Sequence, residues 1–459
     1  MENITNKKVL VIGMGKSGIA AAEALLAAGA SVTVYDKKNR EDLPSGLAVS
    51  LEQKGAESCF GHDPEHPEMF DQVIMSPGVP VELPFVQAAK AAGAEIIGEL
   101  ELAYRMGRGS YAAITGTNGK TTTTVLTGEI FKAAGRLTEV VGNVGVAVIT
   151  KALEASEDTW LVTECSSFQL DTTADFRPHV SALLNLTPDH LDRHKTFENY
   201  ADAKGKIFAN QTEEDFFIVN ADDAPSMEQA KKCKAVVVPF SRKQELDFGC
   251  FVKDGKLVIR PVQGDPSVLV EICAADEIYI PGNHNLENAL AASAVSYFAG
   301  IEPAVIAQVL KTFRGVEHRM EYAGTLNGVR FVNDSKGTNP DAAIKALEAI
   351  KGGILLIAGG YDKGSSYEEF IAAFGGKVKA LLLMGKTAPK IKEAAEAAGF
   401  SPIYMLKDME ECVREGLRLA EEGDTVLLSP ACASWDMYSC FEERGEDFKN
   451  RAKALGAVL

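Results

Sequence analysis

Short apolar runs alternate with alanine-rich, amphipathic segments along most of the chain. The first run, Lys8–Ile12, leads into a glycine turn, an alanine-rich segment that reaches Ala28 and a second apolar run at Ser31–Asp36. Apolar runs of this length bounded by glycine predict buried strands, and the segment between them predicts a helix. The chain is therefore expected to begin with a βαβ unit.

The same alternation continues to the C-terminus and predicts mostly parallel sheets. Further strands are predicted at residues 72–79, 111–115, 158–164, 180–186, 354–358, 379–384 and 424–429. Between residues 236 and 280 the runs become short and surround tight turns, which predicts a small antiparallel patch. We predict an α/β fold of three domains, at residues 1–97, 98–315 and 316–459, with Rossmann-like sheets at both ends.

Composition and charge narrow the class of protein. The chain has 459 residues, 46% of them apolar, which is enough for several cores. A net charge of −17 without a Lys/Arg cluster disfavours a nucleic-acid partner. The eight cysteines form no Cys-x-x-Cys pair, and we see no signal segment or run long enough to cross a bilayer. A monomeric enzyme of the reducing cytoplasm is expected, with no membrane span.

A glycine loop between a strand and a helix carries the strongest chemical signal. Gly116 and Gly119 allow a tight turn whose N–H groups meet phosphate oxygens at the positive end of the helix. Lys120 is placed to reach the β- and γ-phosphates, and the Thr121 hydroxyl suits Mg²⁺. The usual first glycine of such loops is replaced by Ile114. The central domain is therefore predicted to be a P-loop mononucleotide-binding domain. The alternative interpretation is an ordinary strand-to-helix turn with a surface lysine.

A second glycine loop closes the first strand. Gly13, Gly15 and Gly18 fit the dinucleotide fingerprint, and Asp36 falls where an acid meets a ribose hydroxyl. This pattern suits NAD, but the same glycine turn can bind any nucleotide diphosphate, including one attached to a sugar. A Ser-Pro-Gly turn at residues 76–78 is placed to close over the same ligand.

Two further segments of the central domain offer candidate metal ligands. Glu164 ends a predicted strand and is either a partner of phosphate-bound Mg²⁺ or a solvated acid. His190 and His194 have the spacing of a helical zinc site, but Leu191 stands where the protease motif has glutamate. We interpret His190 as a group near Mg²⁺, with an ordinary loop histidine as the alternative.

Other polar positions are ambiguous from spacing alone. Lys204 and Lys206 have the pattern of exposed helix lysines. The helix start at residues 281–292 suits adenine or ribose contacts, or simply a helix cap. In the third domain four polar loops follow strands and are expected to converge on one face, at residues 317–320, 333–340, 359–364 and 429–434.

Taken together, these motifs resemble the Mur ligases of peptidoglycan synthesis over the whole chain and in order. The resemblance rests on Thr-Gly-Thr-Asn-Gly-Lys-Thr-Thr at 115–122, Asp-His-Leu-Asp-Arg-His at 189–194, Gly-Asn-His-Asn-x-x-Asn-Ala at 282–289, the His-Arg pair at 318–319 and Asn-Asp-Ser-Lys-Gly-Thr-Asn at 333–339. It implies an ATP-dependent, ADP-forming ligase of cell-wall synthesis, and through it a role in cell shape and division. The reaction implied is the addition of D-glutamate to UDP-N-acetylmuramoyl-L-alanine.

The resemblance also implies a set of site residues. It implies UDP-substrate contacts at Lys16, Ser17, Asp36, Ser76, Gly78 and Asn143. It implies ATP contacts at Gly116, Thr117, Asn118, Gly119, Lys120, Thr121, Thr122, Asn288, Arg319 and Asp334. It implies D-glutamate contacts at Thr338, Lys363, Ser434 and Phe441, beside an unusual Trp435. It implies two magnesium ions held by Thr121, Glu164, His190 and Lys204, with Lys204 carbamoylated.

The implied mechanism passes through an acyl phosphate, with Lys120, Glu164, His190, Lys204 and Arg319 as the catalytic set. An anionic carboxylate is a poor electrophile, so ATP first converts it into an acyl phosphate that the amine then attacks. We expect the third domain to close over the second when ATP binds, because the intermediate must be kept from water. The alternatives are a Mur-type ligase for another amino acid, a folate-polyglutamate ligase, a nucleotide switch and an NAD-dependent dehydrogenase.

Overall fold

The computed structural model describes residues 4–265, 267–361 and 364–458 and shows an α/β protein with three sheets. The contacts between its residues divide the chain into two compact units, which meet in the sequence at Phe313 and Arg314. The first unit contains two of the sheets and the second unit contains the third. The three-domain α/β architecture is confirmed, whereas the predicted domain boundaries stay predictions.

The N-terminal sheet has five parallel strands in the order β3-β2-β1-β4-β5. Its strands are β1 (Lys8–Ile12), β2 (Ser31–Asp36), β3 (Glu57–Phe60), β4 (Gln72–Met75) and β5 (Glu95–Gly98), and its helices are α1 (Lys16–Ala27), α2 (Leu47–Gln53), α3 (Pro84–Ala91) and α4 (Glu99–Met106). The fourth strand is shorter than the predicted 72–79, because Pro77 and Gly78 form a turn. The strands that follow β1 are added first on one side of it, as β2 and β3, and then on its other side, as β4 and β5. This reversal of strand order opens a crevice at the carboxyl end of β1.

The central sheet has nine strands in the order β14-β13-β12-β11-β10-β9-β6-β8-β7. Its strands are β6 (Ser110–Thr115), β7 (Thr138–Gly142), β8 (Trp160–Glu164), β9 (Val180–Leu183), β10 (Phe216–Asn220), β11 (Val236–Ser241), β12 (Gly249–Lys253), β13 (Lys256–Arg260) and β14 (Val270–Ala274). The last three strands pair antiparallel, which confirms the predicted patch, and the other strands pair parallel. The patch begins later than predicted, because β11 lies within residues 236–280 and pairs parallel with both of its neighbours. The glycine loop follows β6, which lies between β8 and β9 at the switch point of this sheet.

Eight helices belong to this central region within the described residues. They are α5 (Lys120–Ala133), α6 (Val148–Glu154), α7 (Ser167–Asp171), α8 (Leu191–His194), α9 (Phe197–Gly205), α10 (Ala224–Ala230), α11 (Asn283–Phe298) and α12 (Pro303–Thr312). One apolar cluster runs from β1 and α1 through Leu100 and Ala103 of α4 to Val148 and Ile149 of α6. This shared core joins the N-terminal and central sheets into the first unit.

The second unit contains a six-stranded sheet in the order β15-β16-β20-β17-β18-β19. Its strands are β15 (Glu321–Leu326), β16 (Val329–Asn333), β17 (Ile354–Ala358), β18 (Val378–Leu383), β19 (Ile403–Met405) and β20 (Thr425–Leu428), and its helices are α13 (Pro340–Ala349), α14 (Glu368–Ala372), α15 (Ala388–Ala397), α16 (Met409–Leu419) and α17 (Phe441–Leu455). Only the β15–β16 pair is antiparallel. The sheet packs apolar side chains on both faces, as a parallel sheet covered by helices requires.

Candidate active site

The glycine loop has the backbone that a phosphate grip needs. Gly119 has a φ of 82° and is the residue that caps the N-terminus of α5. A Cβ atom on Gly119 would lie 2.3 Å from Oδ1 of Asn288, so a larger residue would strain the backbone and displace the Asn288 side chain. The buried Asn288 side chain also accepts a hydrogen bond from the Thr123 hydroxyl at 3.3 Å. The structure thus brings Asn288 to the loop, and its contact with nucleotide stays a prediction.

Two amides of the loop are already hydrogen-bonded within the protein. The N–H of Thr117 donates to the carbonyl oxygen of Asn185 at 2.9 Å, and the N–H of Asn118 donates to Oδ1 of Asn185 at 2.8 Å. The N–H groups of these two residues therefore have acceptors within the protein, and the contact of Thr117 and Asn118 with ATP stays a prediction. The N–H groups of the first turn of α5, which have no acceptor within the helix, remain for that role. Asn185 follows β9 and carried no motif signal.

Lys120 and Lys204 donate to the same carbonyl oxygen. The Nζ atom of each lies 2.9 Å from the carbonyl oxygen of Gly116, and Lys120 also donates to the carbonyl of Thr117 at 2.9 Å. Lys204 is only 2% exposed, so its interpretation as an exposed helix lysine is wrong. The helical pattern could not reveal this burial, because α9 packs its inner face on the glycine loop.

The environment of Lys204 favours an uncharged amine. Burial lowers the pKa of Lys204 well below its usual range, the charge of Lys120 lowers it further, and Asp189 and Glu164 oppose the shift. Its Nζ atom lies 4.9 Å from the centre of the Tyr200 ring. A neutral lysine amine is a nucleophile, so this position is suited to covalent modification.

Glu164 lies at the carboxyl end of β8 and is buried, so the solvated alternative is wrong. Its Oε1 atom accepts a hydrogen bond from Nδ2 of Asn143 at 2.7 Å. Its Oε2 atom is buried without a hydrogen-bond partner among the described residues. A buried carboxylate oxygen without a partner is costly, and a cation would satisfy it. Thr121 is buried at the start of α5.

The two histidines of residues 189–194 have different environments. His190 has a left-handed backbone, with a φ of 51°, and its side chain is 52% exposed. His194 is buried, and its Nε2 atom lies 3.0 Å from the Ser167 hydroxyl. Burial lowers the pKa of His194, so the ring stays neutral. The helix α8 begins after His190, so the two side chains do not share a regular helical face.

The glycine turn of the N-terminal sheet is equally specific. A Cβ atom on Gly18 would lie 1.8 Å from the carbonyl oxygen of Gly13, and the hydroxyl of Ser76 donates to that oxygen at 2.9 Å. The carboxylate of Asp36 accepts hydrogen bonds from the N–H groups of Met14 and Lys38 at 2.8 and 3.0 Å. Asp36 therefore shapes the turn, whatever ligand it also contacts.

A cavity of about 200 Å³ lies beside this turn, within the first unit. It is lined by Lys16, Ser17, Pro77, Gly142, Asn143, Gly145, Ala147 and Gln169. Three of the predicted UDP-substrate contacts, Lys16, Ser17 and Asn143, thus face one space. Because Asn143 also binds Glu164, this cavity adjoins the carboxylate at the end of β8.

In the second unit, Asp334 follows β16 and is 4% exposed. Its oxygens accept hydrogen bonds from the hydroxyl of Ser429 at 2.7 Å and from the N–H of Met320 at 3.3 Å. Burial raises the pKa of Asp334 to about 6, against the opposing effects of Ser429 and the nearby charge of Arg319. The charge of Arg319 therefore acts on Asp334, and the contact of either residue with nucleotide stays a prediction.

Arg444 was missed by the sequence reasoning and links two of the polar loops. It is 1% exposed and donates to the hydroxyl and carbonyl oxygens of Ser335 at 3.0 and 2.8 Å. On its other side it donates to the carbonyl oxygens of Cys432 and Ala433 at 3.1 and 3.2 Å. Burial lowers the pKa of Arg444 to about 10. No motif distinguishes this arginine from others on α17.

The predicted D-glutamate contacts lie around these loops. Ser434 is buried, Thr338 and Phe441 are half-buried, and Lys363 lies outside the described residues. The carbonyl oxygen of Phe441 accepts a hydrogen bond from the Ser335 hydroxyl at 2.7 Å. Trp435 is 63% exposed and its ring lies 5.6 Å from that of Tyr361. Trp435 is therefore mostly in contact with solvent, next to the buried Ser434.

One other group of metal-capable side chains occurs among the described residues: Glu317, His318 and Glu446. The ammonium of Lys449 lies among its carboxylates, 2.5 Å from Glu317 and 2.6 Å from Glu446. Because a cation already neutralises these acids, they form an ion-pair network and offer no metal site.

The fold and the site define a nucleotide-binding enzyme of three domains. Three family models match consecutive parts of the chain: the Mur ligase MurD-like N-terminal domain at residues 7–98, the Mur ligase middle domain at 114–296, and the Mur ligase glutamate ligase domain at 318–432. The chain belongs to the Mur ligase family.

Curated relatives and solved structures agree with this assignment. The UDP-N-acetylmuramoylalanine--D-glutamate ligase of Alkaliphilus oremlandii is 52% identical, over 97% of this chain and 98% of its own. The enzyme of that name from Clostridioides difficile is 46% identical, over 99% of this chain and 100% of its own. The structure of UDP-N-acetylmuramate-alanine ligase MurC from Thermotoga maritima covers 98% of this chain and 100% of its own, with a TM-score of 0.59 and 18% identity, and so shares the fold.

Proposed function

We propose that this protein is an ATP-dependent ligase that joins D-glutamate to UDP-N-acetylmuramoyl-L-alanine in peptidoglycan synthesis, acting as a monomer in the cytoplasm. Relatives named for this reaction match nearly the whole chain at about 50% identity. The single observation that carries the proposal is the 2.7 Å hydrogen bond between Asn143 and Glu164. It joins the cavity beside the first glycine turn to the carboxylate beside the phosphate loop. A ligase needs its acceptor and its ATP at adjoining sites, whereas a dehydrogenase or a nucleotide switch does not.

The residues of the first unit suit the activation step. Lys120 is placed to leave its two loop carbonyls and bind the β- and γ-phosphates of ATP. The γ-phosphoryl group passes to the carboxylate of the alanyl substrate, whose oxygen attacks phosphorus while ADP leaves. The acyl group now has phosphate as its leaving group, which makes the carbonyl carbon open to attack.

The residues of the second unit suit the amide-forming step. Thr338, Lys363, Ser434 and Phe441 are proposed to hold D-glutamate with its free amine directed at the acyl phosphate. The amine adds to the carbonyl carbon, loses a proton, and phosphate departs. Arg319 and Lys120 stabilise the negative charge that develops on oxygen.

The donor set also fits magnesium once Lys204 is modified. The partnerless Oε2 of buried Glu164 and the hydroxyl of Thr121 are hard oxygen ligands, and His190 is placed in an adjacent segment. Lysine itself would repel a cation, but its neutral amine can add to carbon dioxide, with loss of one proton, to give a carbamate with anionic oxygens. Thr121, Glu164, His190 and carbamoylated Lys204 would hold two ions, which when bound supply positive charge against the phosphate groups.

The function is tested by a product assay with separate amino acids. Purified protein is incubated with ATP, Mg²⁺ and UDP-N-acetylmuramoyl-L-alanine, together with D-glutamate, L-glutamate, L-alanine or meso-diaminopimelate. We expect phosphate release and a new nucleotide-linked product with D-glutamate alone. A product with another amino acid would reassign the step within the family, and phosphate release that ignores both substrates would contradict the ligase.

The carbamate is tested independently by ¹³C NMR in labelled bicarbonate. We expect a carbamate signal in the wild-type protein that disappears in Lys204→Arg. The matched control is Lys206→Arg, because Lys206 lies two residues away and contacts Asp171 at the surface. A wild-type spectrum identical to that of Lys204→Arg would exclude the modification.

A further inference from the structure

The Ser76–Val79 turn is attached on both sides within the first unit. The Ser76 hydroxyl donates to the carbonyl oxygen of Gly13 at 2.9 Å, and the N–H of Val79 donates to the carbonyl of Ser76 at 3.0 Å. On the opposite side, Nη2 of Arg193 donates to the carbonyl oxygen of Val79 at 2.7 Å. Arg193 belongs to α8, three residues after His190. The turn proposed to contact the UDP-linked substrate is thus bonded directly to the segment of a proposed metal ligand.

Phe168 connects Arg193 to both histidines. The guanidinium carbon of Arg193 lies 5.0 Å from the centre of the Phe168 ring. The edge-on ring of His190 lies 5.0 Å from the same centre, and the ring of His194 stacks on Phe168 at 5.3 Å with an interplanar angle of 8°. Phe168 lies on α7, four residues after Glu164. One aromatic ring therefore contacts Arg193, His190 and His194.

We propose that Arg193 is a positioning residue that couples binding of the UDP-linked substrate at the Ser76–Val79 turn to the placement of His190. The inference rests on the proposed function. A movement of the turn displaces the carbonyl oxygen of Val79, and the guanidinium follows because it is bonded there. The shared Phe168 ring then transmits the displacement to His190. Coupling of this kind is reciprocal, so magnesium nucleotide strengthens substrate binding by the factor that substrate strengthens nucleotide binding.

The chemistry of arginine suits this task and that of lysine does not. A planar guanidinium can donate from its edge to a carbonyl while its face rests on an aromatic ring. A lysine ammonium is a point charge that can satisfy one of these partners at a time. Arg193→Lys therefore keeps the charge and removes the connection.

The first measurement uses no metal. Histidine ring signals are recorded by NMR before and after UDP-N-acetylmuramoyl-L-alanine is added, and His190 is assigned with the variant His190→Gln. We expect the substrate to shift the His190 signal in the wild type and to leave it in place in Arg193→Lys. An equal shift in both proteins would overturn the proposal.

The second measurement is calorimetric titration with the same substrate, with and without Mg²⁺ and a non-hydrolysable ATP analogue. We expect the analogue to tighten substrate binding by about 5-fold or more in the wild type, within the usual range of coupling between sites. In Arg193→Lys, and independently in Phe168→Leu, the ratio should fall to about one. Retention of the wild-type ratio in both variants would overturn the proposal, as would its absence in the wild type.

The matched control is Arg177→Lys. Arg177 is half-exposed and binds Asp215 and Thr212 beside the amino ends of β9 and β10, whereas the glycine loop follows the carboxyl end of β6. It should keep the wild-type ratio. Circular dichroism and thermal unfolding show whether each variant folds. If either Arg193→Lys or Phe168→Leu fails to fold, the other variant still tests the proposal. Failure of the proposed function has a different signature, namely a wild type that does not bind the UDP-linked substrate at all.

Discussion

Two lysines share one carbonyl oxygen in this protein, and their surroundings give them different properties. Lys120 lies in the first turn of α5 with part of its side chain in solvent, whereas Lys204 is almost fully buried. The carbonyl of Gly116 accepts from both. Only one of two adjacent ammonium groups is easily kept charged, and burial decides that Lys204 loses its charge more readily. The pair thus combines a cation that is predicted to bind phosphate with an amine that is proposed to be modified.

Lys120→Ala is expected to abolish ligation while the fold is kept. The variant removes the charge that meets the phosphates, and we expect kcat to fall by about 10²–10³-fold, as when a stabilising group is removed from a developing charge. Phosphate release and far-UV circular dichroism are the measurements. The control is Lys132→Ala at the other end of the same helix, where the exposed Lys132 pairs with Glu129. Near-normal turnover of Lys120→Ala would refute its role as a phosphate clamp.

Trp435 is expected to report on the amino-acid site. The chain has two tryptophans, and the other, Trp160, is buried against Phe131. Because Trp435 is mostly exposed beside Ser434, bound substrates should remove water from its indole and shift its emission to shorter wavelength. We compare the wild type with Trp435→Phe, before and after adding the UDP-linked substrate, the ATP analogue and D-glutamate. An unchanged wild-type spectrum with D-glutamate demonstrably bound would place Trp435 away from the site.

At the scale of elements, α4 attaches the N-terminal sheet to the central one through two buried acids. Oε1 of Glu99 accepts a hydrogen bond from the N–H of Ile149 at 2.7 Å, at the start of α6. The carboxylate of Glu101 accepts from the N–H groups of Ala174, Asp175 and Phe176 at 2.9, 2.9 and 3.0 Å. Acids at helix starts and amide clusters are stabilised by those dipoles. Helix α4 thereby holds α6, which follows the loop that carries Asn143.

Glu99→Gln is expected to make the protein less sensitive to rising pH. Burial raises the pKa of Glu99 from 4.5 to about 7, and its Oε2 atom has no partner among the described residues. A raised pKa in the folded state gives a contribution to stability that is complete below pH 4.5 and is lost as pH rises through 7. By linkage this loss is up to about 3 kcal/mol. Urea unfolding is measured at pH 5 and pH 8. The free energy of unfolding of Glu99→Gln, relative to that of the wild type, should be higher at pH 8 than at pH 5.

Glu101→Gln is the control for that experiment. The Glu101 carboxylate binds three backbone N–H groups and Arg105. Its replacement by the uncharged side chain of glutamine should therefore lower the free energy of unfolding at both pH values. If the free energy of unfolding has the same pH dependence in the wild type and in Glu99→Gln, the ionisation of Glu99 does not destabilise the folded protein.

At the scale of the whole molecule, the proposed substrate contacts are divided between residues of the two units. The UDP-linked substrate and the phosphates of ATP are assigned to residues before Phe313, and D-glutamate to residues after Arg314. An acyl phosphate hydrolyses if water reaches it, so the amine must be delivered in a closed site. We therefore predict that the third domain closes over the second when ATP binds.

Small-angle scattering is expected to show this closure. The radius of gyration should decrease when the UDP-linked substrate and the ATP analogue are both present, compared with the protein alone. UDP alone is the control, since it engages only the first unit. An unchanged scattering curve with both ligands bound would contradict closure.

Much of the local structure follows from the sequence, because strand and helix formation depends on near neighbours. Apolar runs at 8–12, 31–36 and 354–358 form strands at those bounds, and the turn at 253–256 forms an antiparallel hairpin. The glycines of the two loops could also be recognised from the sequence: at Gly18 a Cβ atom would lie 1.8 Å from a backbone oxygen, and Gly119 has a left-handed backbone with a φ of 82°. The order of the motifs likewise identified the family.

Burial and long-range contacts depended on the folded chain, because a helical or loop pattern does not state which face will be covered. The burial of Lys204 reverses the interpretation from spacing. The hydrogen bond between Asn118 and Asn185 joins residues 67 positions apart, and that between Arg444 and Ser335 joins residues 109 positions apart. Chemistry follows from the same cause: removal from water lowers the pKa of Lys204 and raises that of Asp334. Desolvation is a property of the packed interior, and no local pattern of residues contains it.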